Sequence, residues 1–426
     1  MSLAKVFPAS KFSLNISEIA PDKSISHRSV MFAMLADGTS EIKNFLRAED
    51  TLNSLEIVKN LGAKVDDDGD IIKISSDGIK EPFEILDCGN SGTGMRLFCG
   101  LLSSANGHFV LTGDKYLRSR PMKRVTQPLR DIGAIFDGRD DSNLAPLSIR
   151  GSSLKAFTYD SKIASAQVKS CMILAALRAD GECVYTEPEL SRDHTERMLK
   201  GMGAEINVDG LKTTIKPMNK LLNPLKIRVP ADPSSAFFFA VAAAITPDSN
   251  IVLEGVTLNE TRIEAFKALE CMGANIRYEN IDNKYEPTGN IYVKYATLKA
   301  ITIEDKISWL IDELPALSIA MACANGTSVV KNAEELRVKE SDRISTIVNG
   351  LNACGIKTRE YNDGYTVTGG ELKSALVNSE GDHRIAMSFI IAGLKCGMQV
   401  RDLDCINTSF PNFFELLKKI TKIEIS

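Results

Sequence analysis

Six short clusters of polar residues stand directly before runs of small apolar residues. The clusters are Asp22–Arg28, Gly89–Thr93, Ser165–Gln167, Asp232–Ser235, Asp312–Glu313 and Asp382–Arg384. Serine, aspartate and asparagine are common helix N-caps, and capping is one interpretation of all six. It does not explain the cations Lys23, Arg28 and Arg384, because a cation at a helix N-terminus is unfavourable unless an anion binds there. These residues therefore predict sites for phosphate or carboxylate groups.

Two further segments are rich in groups that could bind an anion. Gly89–Gly94 is a glycine-rich turn that permits close approach of a small anion, although it has neither the P-loop nor the dinucleotide-binding pattern. Lys115–Arg130 contains six cations and no acid. It is either a solvated basic loop or a mobile cationic flap.

A third segment, Glu335–Arg343, alternates in charge. It is either a helix surface with spaced ion pairs or part of the anion site. On a helix, Lys339 and Arg343 would lie on one face and repel each other unless an anion or a carboxylate lay between them.

The clusters recur within a repeat of about 70 residues. One repeated phrase is an amphipathic helix that ends at a glycine and is followed by a short strand. Helical periodicity predicts these helices at Thr51–Asn60, Thr195–Met202, Glu264–Met272 and Phe413–Ile420. The stops predicted for the repeated phrase are Gly62, Gly133, Gly203, Gly273 and Gly355. The other phrase is a helix of small, mostly apolar residues, which predicts burial on most sides.

Six such repeats fit the chain, and a solenoid is one interpretation of them. The proline-containing segment Val229–Ala236 favours instead two similar α/β domains of three repeats each. We assign residues 19–230 to one domain, and residues 1–18 plus 231–426 to the other.

Composition argues against several classes of function. With 51 basic and 55 acidic residues the net charge is −4, which argues against a nucleic-acid partner. The apolar run Ala236–Ile245 is shorter than the roughly 20 residues of a membrane span, and the N-terminal segment lacks a secretory signal. Nine cysteines without a Cys-x-x-Cys motif are typical of reduced core thiols in a cytoplasmic protein. Four histidines without ligand spacing argue against a metal site.

Ten phrases in order resemble the 5-enolpyruvylshikimate-3-phosphate synthase family, also called 3-phosphoshikimate 1-carboxyvinyltransferase. They are DKSISHRS, GNSGTGMR, RPMKRV, SAQVKS, SRDHTERML, DPSSA, IDELP, LRVKESDR, GDHRIAMSF and TSFP, and they span residues 22–411. Several are similar to the bacterial class II branch. The resemblance implies two domains, each of three βαβαββ units, in an inside-out α/β barrel whose helix N-termini face a ligand-binding interdomain cleft.

The reaction implied by the resemblance belongs to the shikimate pathway of aromatic amino-acid biosynthesis. The enolpyruvyl group of phosphoenolpyruvate is transferred to the 5-hydroxyl of shikimate 3-phosphate, and phosphate is released. Addition and elimination proceed through a tetrahedral ketal, which requires a base, an acid and cations for the substrate charges. The resemblance implies no metal and no organic cofactor, and we expect a cytoplasmic monomer.

Carried onto matching positions, the resemblance implies three catalytic residues. Asp312 would be the base at the 5-hydroxyl, and Glu340 and Lys23 are the candidates for proton transfer at carbon. Shikimate 3-phosphate would be bound by Lys23, Ser24, Arg28, Ser165, Ala166, Gln167, Ser191, Arg192, Asp312 and Lys339. Phosphoenolpyruvate would be bound by Lys23, Gly92, Arg120, Gln167, Arg343 and Arg384.

Alternatives remain open at four positions. Asp312 could merely cap its helix, and Glu340 could pair with Arg343 or Arg337. His194 could complete the phosphate pocket, whereas His383 is more typical of a packing residue.

The sequence departs from the family pattern in two places. Asn407–Pro411 lacks the lysine that many members carry there, so one cation is missing or is supplied by Lys422. Ala166 replaces one serine of a familiar pair. Gly92 is the residue type that leaves room for glyphosate, an inhibitor that binds the phosphoenolpyruvate site of the family.

Two other functions compete with this interpretation. A related transferase acts on UDP-N-acetylglucosamine, but it usually carries a reactive cysteine in the flap, and residues 113–126 contain none. A non-catalytic repeat scaffold or polyanion-binding module is the other alternative. Such a module would tolerate loss of Asp312 and Glu340 without losing its ligand.

Overall fold

The structure, a computed structural model, describes residues 2–282 and 285–426. Contacts within the chain divide it into two units. The central unit comprises Pro21–Val229 and Lys284–Glu286. The terminal unit comprises Met1–Ala20, Pro230–Asn283 and Pro287–Ser426.

Helices occur in both units and alternate with strands along the chain. In chain order they are α1 (Lys23–Ala33), α2 (Glu49–Asn60), α3 (Gly92–Leu102), α4 (Lys123–Asp131), α5 (Arg139–Ser142), α6 (Ala166–Ala176), α7 (His194–Gly201), α8 (Pro233–Ile245), α9 (Glu264–Cys271), α10 (Ile307–Leu310), α11 (Leu314–Ala322), α12 (Arg343–Ala353), α13 (His383–Cys396) and α14 (Phe413–Leu417).

The strands are short. The first half of the chain contributes β1 (Leu3–Val6), β2 (Ser13–Ile16), β3 (Ser40–Lys43), β4 (Lys64–Asp67), β5 (Ile71–Ser75), β6 (Leu86–Asp87), β7 (His108–Thr112), β8 (Ile135–Gly138), β9 (Leu144–Arg150), β10 (Thr158–Asp160), β11 (Cys183–Thr186) and β12 (Ile206–Asp209). The second half contributes β13 (Lys212–Ile215), β14 (Lys226–Arg228), β15 (Asn250–Thr257), β16 (Asn275–Asp282), β17 (Thr288–Lys294), β18 (Thr302–Ile303), β19 (Thr327–Val330), β20 (Lys357–Tyr361), β21 (Gly364–Thr368), β22 (Leu376–Asn378), β23 (Met398–Arg401) and β24 (Ile423–Ile425).

The strands form six four-stranded sheets with one shared pairing pattern. The central unit holds the orders β14-β3-β5-β4, β6-β7-β9-β8 and β10-β11-β13-β12. The terminal unit holds β16-β17-β15-β2, β18-β19-β21-β20 and β22-β23-β1-β24. Each sheet contains one parallel pair and two antiparallel pairs, as in β6 with β7 and then β7-β9-β8. The predicted α/β fold of six βαβαββ repeats is confirmed.

Three repeats take a strand from a distant part of the chain. In the central unit, β14 pairs in parallel with β3, so that Ile227 lies opposite Ile42. In the terminal unit, β2 pairs in parallel with β15, and β1 lies between β23 and β24. The spacing in the sequence suggested contiguous repeats, but these three repeats are not contiguous segments. Instead, the ends of each unit's sequence meet within its sheets.

The helices of small residues form the core of each unit. In the central unit α3 contacts α1 and α6, and in the terminal unit α8, α11 and α13 contact one another. Every residue of α8 is buried. A Cβ atom on Gly100 of α3 would lie 2.2 Å from the carbonyl oxygen of Cys171 in α6. Glycine at this position therefore permits the close approach of the two helices.

The predicted helix stops are confirmed. All five repeated glycines adopt positive φ angles, from +79° at Gly355 to +104° at Gly133 and Gly273. The helices before them match α2, α7 and α9 closely, whereas α14 ends at Leu417 rather than at the predicted Ile420.

All nine cysteines are free thiols, but they are not all in the core. Cys88, Cys99, Cys171, Cys183 and Cys354 are buried, whereas Cys271 is exposed. The prediction of core thiols is therefore wrong for Cys271, which is the last residue of the amphipathic helix α9. Among the helices formed by residues 2–282 and 285–426, none has the length and apolar character needed to cross a bilayer.

Candidate active site

The polar clusters cap five of the six buried helices. The side chains of Asp22, Ser91, Ser165, Asp232 and Asp382 each accept a backbone N–H of the following turn. The exception is α11, whose N-cap residue is Glu313 and makes no such bond. Asp312 therefore does not occupy the N-cap position that the capping alternative gave it.

Lys23 opens α1 with its ammonium bonded to a carboxylate. Its Nζ lies 2.5 Å from Oδ2 of Asp50, and the two side chains are 20% and 4% exposed. The other oxygen of Asp50 has no hydrogen-bond partner within the described part of the chain. Lys23 is thus held by a buried carboxylate while its ammonium stays accessible, and the neighbouring Ser24 is also partly exposed.

Arg28 is buried and joins three helices. It donates from Nε to Thr195 of α7 (2.7 Å), from Nη2 to Ser170 of α6 (2.8 Å) and from Nη1 to the carbonyl of Ser24 (3.0 Å). The sequence did not identify Ser170 or Thr195 as partners, although both lie in phrases that carried the resemblance. Their spatial closeness depends on the packing of α6 and α7.

Two guanidinium groups flank the start of α3. Arg120 donates to the side chain and the carbonyl of Asn90, at 2.5 and 3.2 Å. A Cβ atom on Gly92 would lie 3.0 Å from Nη1 of Arg96 and 3.2 Å from Nη1 of Arg120. The structure thus brings Gly92 and Arg120 together as predicted neighbours. It adds Arg96, which lies in the phrase GNSGTGMR but was not singled out.

Gln167 belongs to the same cluster. Arg96 donates to its Oε1 at 2.5 Å, and its Nε2 donates to Thr93 Oγ1 at 2.9 Å. Ser165 and Ala166 lie at the start of α6 and are partly buried. Their backbone and the Ser165 hydroxyl therefore accompany Gln167 at one helix N-terminus.

The basic segment Lys115–Arg130 is not only a solvated basic loop, because much of it is helical. After a short 3-10 turn at Leu117–Ser119, it forms α4. Arg130 and Lys123 contact the carboxylate of Asp141 at 2.8 and 3.6 Å. The acid that pairs with them lies outside the segment, so its composition alone concealed the ion pairs.

Ser191 is hydrogen-bonded to a buried cluster of charged side chains. Lys169 of α6 contacts Glu187 at 2.7 Å and Glu196 of α7 at 2.8 Å, and it donates to the carbonyl of Ser191 at 3.2 Å. The Ser191 hydroxyl, 1% exposed, donates to Glu187 at 2.6 Å. Its proton is thus directed to a carboxylate rather than to a ligand phosphate.

The two residues that follow Ser191 differ in burial. Arg192 is partly buried. His194 is buried, and its Nδ1 lies 2.6 Å from Oε1 of Glu286. Ser191 and His194, which were predicted to complete the phosphate pocket, therefore each contact a glutamate of the central unit.

We expect Glu196→Gln to stabilise the protein increasingly as pH rises. Burial raises the pKa of Glu196 in spite of its contact with Lys169. The folded state therefore binds a proton more tightly than the unfolded state, and the ionised carboxylate costs stability above the ordinary pKa of glutamate. Thermal melts of wild type and variant should nearly coincide near pH 4.5 and separate as the pH rises above that value, with the variant higher.

The matched control for this experiment is Glu205→Gln, which removes an exposed carboxylate paired with Lys216 at 2.9 Å. It should show no such separation. A Glu196→Gln variant that is less stable than wild type at pH 8 would contradict the interpretation.

Arg343 joins three carboxylates in the terminal unit. Its Nε lies 2.8 Å from Asp382, its Nη2 2.7 Å from Glu340 and its Nη1 3.3 Å from Asp312. Burial opposes the charge of this guanidinium, but the three carboxylates outweigh it and raise the pKa of Arg343. The structure thus brings Asp312, Glu340 and Arg343 together. The alternative that Glu340 pairs with Arg343 is confirmed.

Lys339 does not share a helix face with Arg343. It follows a 3-10 turn at Glu334–Val338 in extended conformation, and α12 begins only at Arg343. That expectation is wrong because the 3-10 turn ends at Val338 and α12 begins only after its cap, Asp342. Burial lowers the pKa of Lys339, partly countered by Glu335 and Asp312.

Arg384 is the second residue of α13, whose cap is Asp382. Its guanidinium lies 6.0 Å from the ring centroid of Phe238, and its Nε has no hydrogen-bond partner among the residues that the structure describes. The adjacent His383 is buried. A buried guanidinium with an unused donor is suited to an anionic ligand.

A second cluster of hydrogen-bonded polar side chains links α8 and α11. Arg262 donates to Asp232 at 2.8 Å and to Ser234 at 3.1 Å, and the Ser234 hydroxyl donates to Glu313. The cluster Asp232–Ser235 therefore has a structural role, as the capping interpretation holds.

Lys422 is not placed as a free substitute for the missing lysine. Its ammonium contacts Glu424 at 2.6 Å and lies 4.7 Å from the ring centroid of Phe7. Asn407 lies in a 3-10 turn at Asp404–Thr408.

In the part of the chain that is described, no group of three or more His, Cys, Asp or Glu residues could hold a metal ion.

Comparisons with known proteins agree over the whole chain. The family described as EPSP synthase (3-phosphoshikimate 1-carboxyvinyltransferase) matches residues 9–417. A relative from Sulfurimonas denitrificans named 3-phosphoshikimate 1-carboxyvinyltransferase is 79% identical and covers 100% of both chains. One of the same name from Nitratiruptor sp. is 63% identical and covers 100% of this chain and 99% of its own.

Solved structures lead to the same family. An EPSP synthase from Acinetobacter baumannii has a TM-score of 0.89 and 40% identity, with 100% of both chains covered. The enolpyruvyl transferase NikO from Streptomyces tendae has a TM-score of 0.80 at 16% identity, with 100% of this chain and 99% of its own covered. At that identity the second likeness concerns the fold alone.

Proposed function

This chain belongs to the EPSP synthase family, and from that premise we propose that it transfers the enolpyruvyl group of phosphoenolpyruvate to shikimate 3-phosphate and releases phosphate. The observation that carries the proposal is the full-length identity of 79% with a relative named for this reaction. The two clusters of cations at helix starts support it further, because both substrates are small polyanions.

The reaction proceeds by addition and elimination. The oxygen of the 5-hydroxyl bonds to C2 of phosphoenolpyruvate, its proton passes to a base, and C3 gains a proton. In the ketal that results, C3 then loses a proton as the C2–O bond to phosphate breaks, which restores the double bond. One base, one proton donor and one proton acceptor are therefore needed.

The contacts of the individual side chains indicate how these tasks are divided. Asp312 is partly exposed and is the base at the 5-hydroxyl. Lys23, an ammonium held by Asp50 at 2.5 Å, donates the proton to C3. Glu340, which lies 2.7 Å from Arg343, accepts the proton in the elimination.

The substrate charges are met at several helix starts. In the central unit, Lys23, Ser24 and Arg28 bind shikimate 3-phosphate together with the start of α6 and Arg192. Phosphoenolpyruvate binds near Gly92, where Arg96 and Arg120 converge. In the terminal unit, the cations proposed to bind substrate are Lys339, Arg343 and Arg384.

A phosphate-release assay with purified protein tests the proposal. Phosphate should appear only when shikimate 3-phosphate and phosphoenolpyruvate are both present, in an amount equal to the limiting substrate. Omitting each in turn provides the controls. Release from phosphoenolpyruvate alone would indicate hydrolysis, and UDP-N-acetylglucosamine as the only active acceptor would indicate the related transferase.

We expect Gly92→Ala to weaken phosphoenolpyruvate binding without unfolding the protein. The added methyl group would crowd the ends of Arg96 and Arg120, which are flexible and can move. Overpacking of this size corresponds to an increase of about tenfold in the KM for phosphoenolpyruvate. In the wild type, glyphosate should compete with phosphoenolpyruvate at millimolar concentration, and in the variant more weakly.

The control for Gly92→Ala is Gly370→Ala, where an added Cβ would meet only Ile356 at 3.7 Å. It should leave both kinetic constants unchanged. An unaltered KM for phosphoenolpyruvate in Gly92→Ala would contradict the placement of this substrate.

A further inference from the structure

His27 is a buried residue for which the proposed reaction has no use. It lies in α1 and is 0% exposed. Its Nδ1 lies 2.7 Å from the hydroxyl of Ser54 in α2. Its Nε2 lies 3.1 Å from the hydroxyl of Ser91, the N-cap of α3. One imidazole therefore links α1 to both neighbouring helices.

The hydrogen bonds around this imidazole have one direction. The Ser91 oxygen accepts the N–H of Gly94 at 2.9 Å, so its own proton is available to Nε2 of His27. Nδ1 then carries the ring proton and donates to Ser54, whose hydroxyl faces the Asp50 carbonyl at 3.5 Å. The opposite tautomer would leave the Ser91 proton without an acceptor in the described part of the chain.

The surroundings of His27 keep the ring neutral. Burial, and then the nearby charges of Lys23 and Arg28, lower the pKa of His27 well below its ordinary value. A protonated ring would also have two donors and could no longer accept from Ser91. The geometry and the charges thus agree on a neutral imidazole with its proton on Nδ1.

We propose that His27 is a positioning residue that fixes the Ser91 cap and, through it, the first turn of α3. This turn contains Gly92, beside Arg120, where the proposed function places phosphoenolpyruvate. The inference rests on that function for the identity of the ligand. A side chain of similar size without nitrogen would leave Ser91 free to rotate away from the Gly94 N–H.

Loss of His27 should weaken the binding of phosphoenolpyruvate but not that of shikimate 3-phosphate. The cap of α1 is Asp22, which accepts from Ile25, and Arg28 is held by Ser170 and Thr195. None of these contacts involves the imidazole. Loss of His27 should therefore disturb the start of α3 while leaving the groups proposed for shikimate 3-phosphate in place.

Steady-state kinetics of His27→Leu test this selectivity. Loss of one buried hydrogen bond should raise the KM for phosphoenolpyruvate about tenfold, with the KM for shikimate 3-phosphate close to the wild-type value. His27→Gln should recover part of the loss, because its amide oxygen can accept from Ser91. If His27→Leu does not fold, Ser91→Ala should show the same selective rise.

The matched control is His108→Leu. His108 also contacts a serine hydroxyl, with Nε2 2.8 Å from Ser148, but this pair lies on β7 and β9. Equal kinetics for the two leucine variants, or an equal rise in both KM values for His27→Leu, would overturn the inference. A wild type that releases no phosphate would instead contradict the proposed function.

Nitrogen NMR tests the tautomer without any substrate. The chain has four histidines, so the protein labelled with ¹⁵N-histidine gives a spectrum that can be assigned by single substitutions. At pH 7.5 the signals lost in His27→Gln should be those of a neutral ring protonated on Nδ1, and Ser91→Ala should shift the Nε2 signal. A cationic ring or a proton on Nε2 would overturn the inference even if the enzyme is active.

Discussion

Replacing Asp312 by asparagine should lower kcat by about a hundred- to ten-thousandfold, while shikimate 3-phosphate still binds. Asparagine keeps the size of the side chain and an oxygen that can accept from Arg343, but it cannot take a proton. The position is suited to the role because Asp312 is not the helix cap and its side chain remains 24% exposed. Phosphate release gives kcat, and isothermal titration gives the affinity for shikimate 3-phosphate.

The control is Asp305→Asn, which changes an exposed aspartate in the same unit and should leave kcat and affinity unchanged. The same measurements also distinguish an enzyme from the alternative of a non-catalytic repeat scaffold. A binding module without chemistry would show no turnover in the wild type. If Asp312→Asn turns over at nearly the wild-type rate, Asp312 is not the base.

Replacing Arg343 by methionine should destabilise the protein by about 3–5 kcal/mol. The guanidinium is 1% exposed, and its three carboxylate partners include Asp382, which is fully buried. Methionine fills much of the volume but leaves those carboxylates without their cation. Urea unfolding at neutral pH, followed by circular dichroism, measures the loss of unfolding free energy.

Arg337→Met provides the matched control for Arg343→Met. Arg337 also bridges two carboxylates, Asp342 at 2.7 Å and Glu360 at 2.9 Å, but its side chain is 25% exposed. Its loss should therefore cost only about 0–1 kcal/mol. Adding Asp382→Asn to Arg343→Met should restore part of the stability. Equal losses for the two single methionine variants would show that burial of the ion pairs does not determine their strength.

Local signals explain what the sequence predicted well. A side chain that caps a helix and a glycine that ends one act within a few residues of their own position, so Asp22, Ser91 and Gly62 could be interpreted from the sequence alone. The repeat made the fold predictable from the sequence, because the same local signals occur six times. The roles carried over from the family remain predictions at every residue of the site.

Packing explains what the sequence did not predict. The pairing of β14 with β3 joins segments about 185 residues apart, and no local pattern specifies it. The partners of Arg28 come from α6 and α7, and those of Arg343 from three separate segments. Lys339 and Arg343 have helical spacing in the sequence, yet the cap at Asp342 separates them.

The distant strands also fix the order in which the protein can fold on the ribosome. Once β14 has been synthesised, the sheets of the central unit are complete, and this unit can form while the chain is still growing. β1 and β2 were made first, but their partners β15, β23 and β24 follow much later. At 5–20 residues per second, the remaining roughly 200 residues take about 10–40 s. β2 can pair once β15 has been made, but β1 must wait for β23 and β24, and its length of four residues limits the edge that it offers for aggregation.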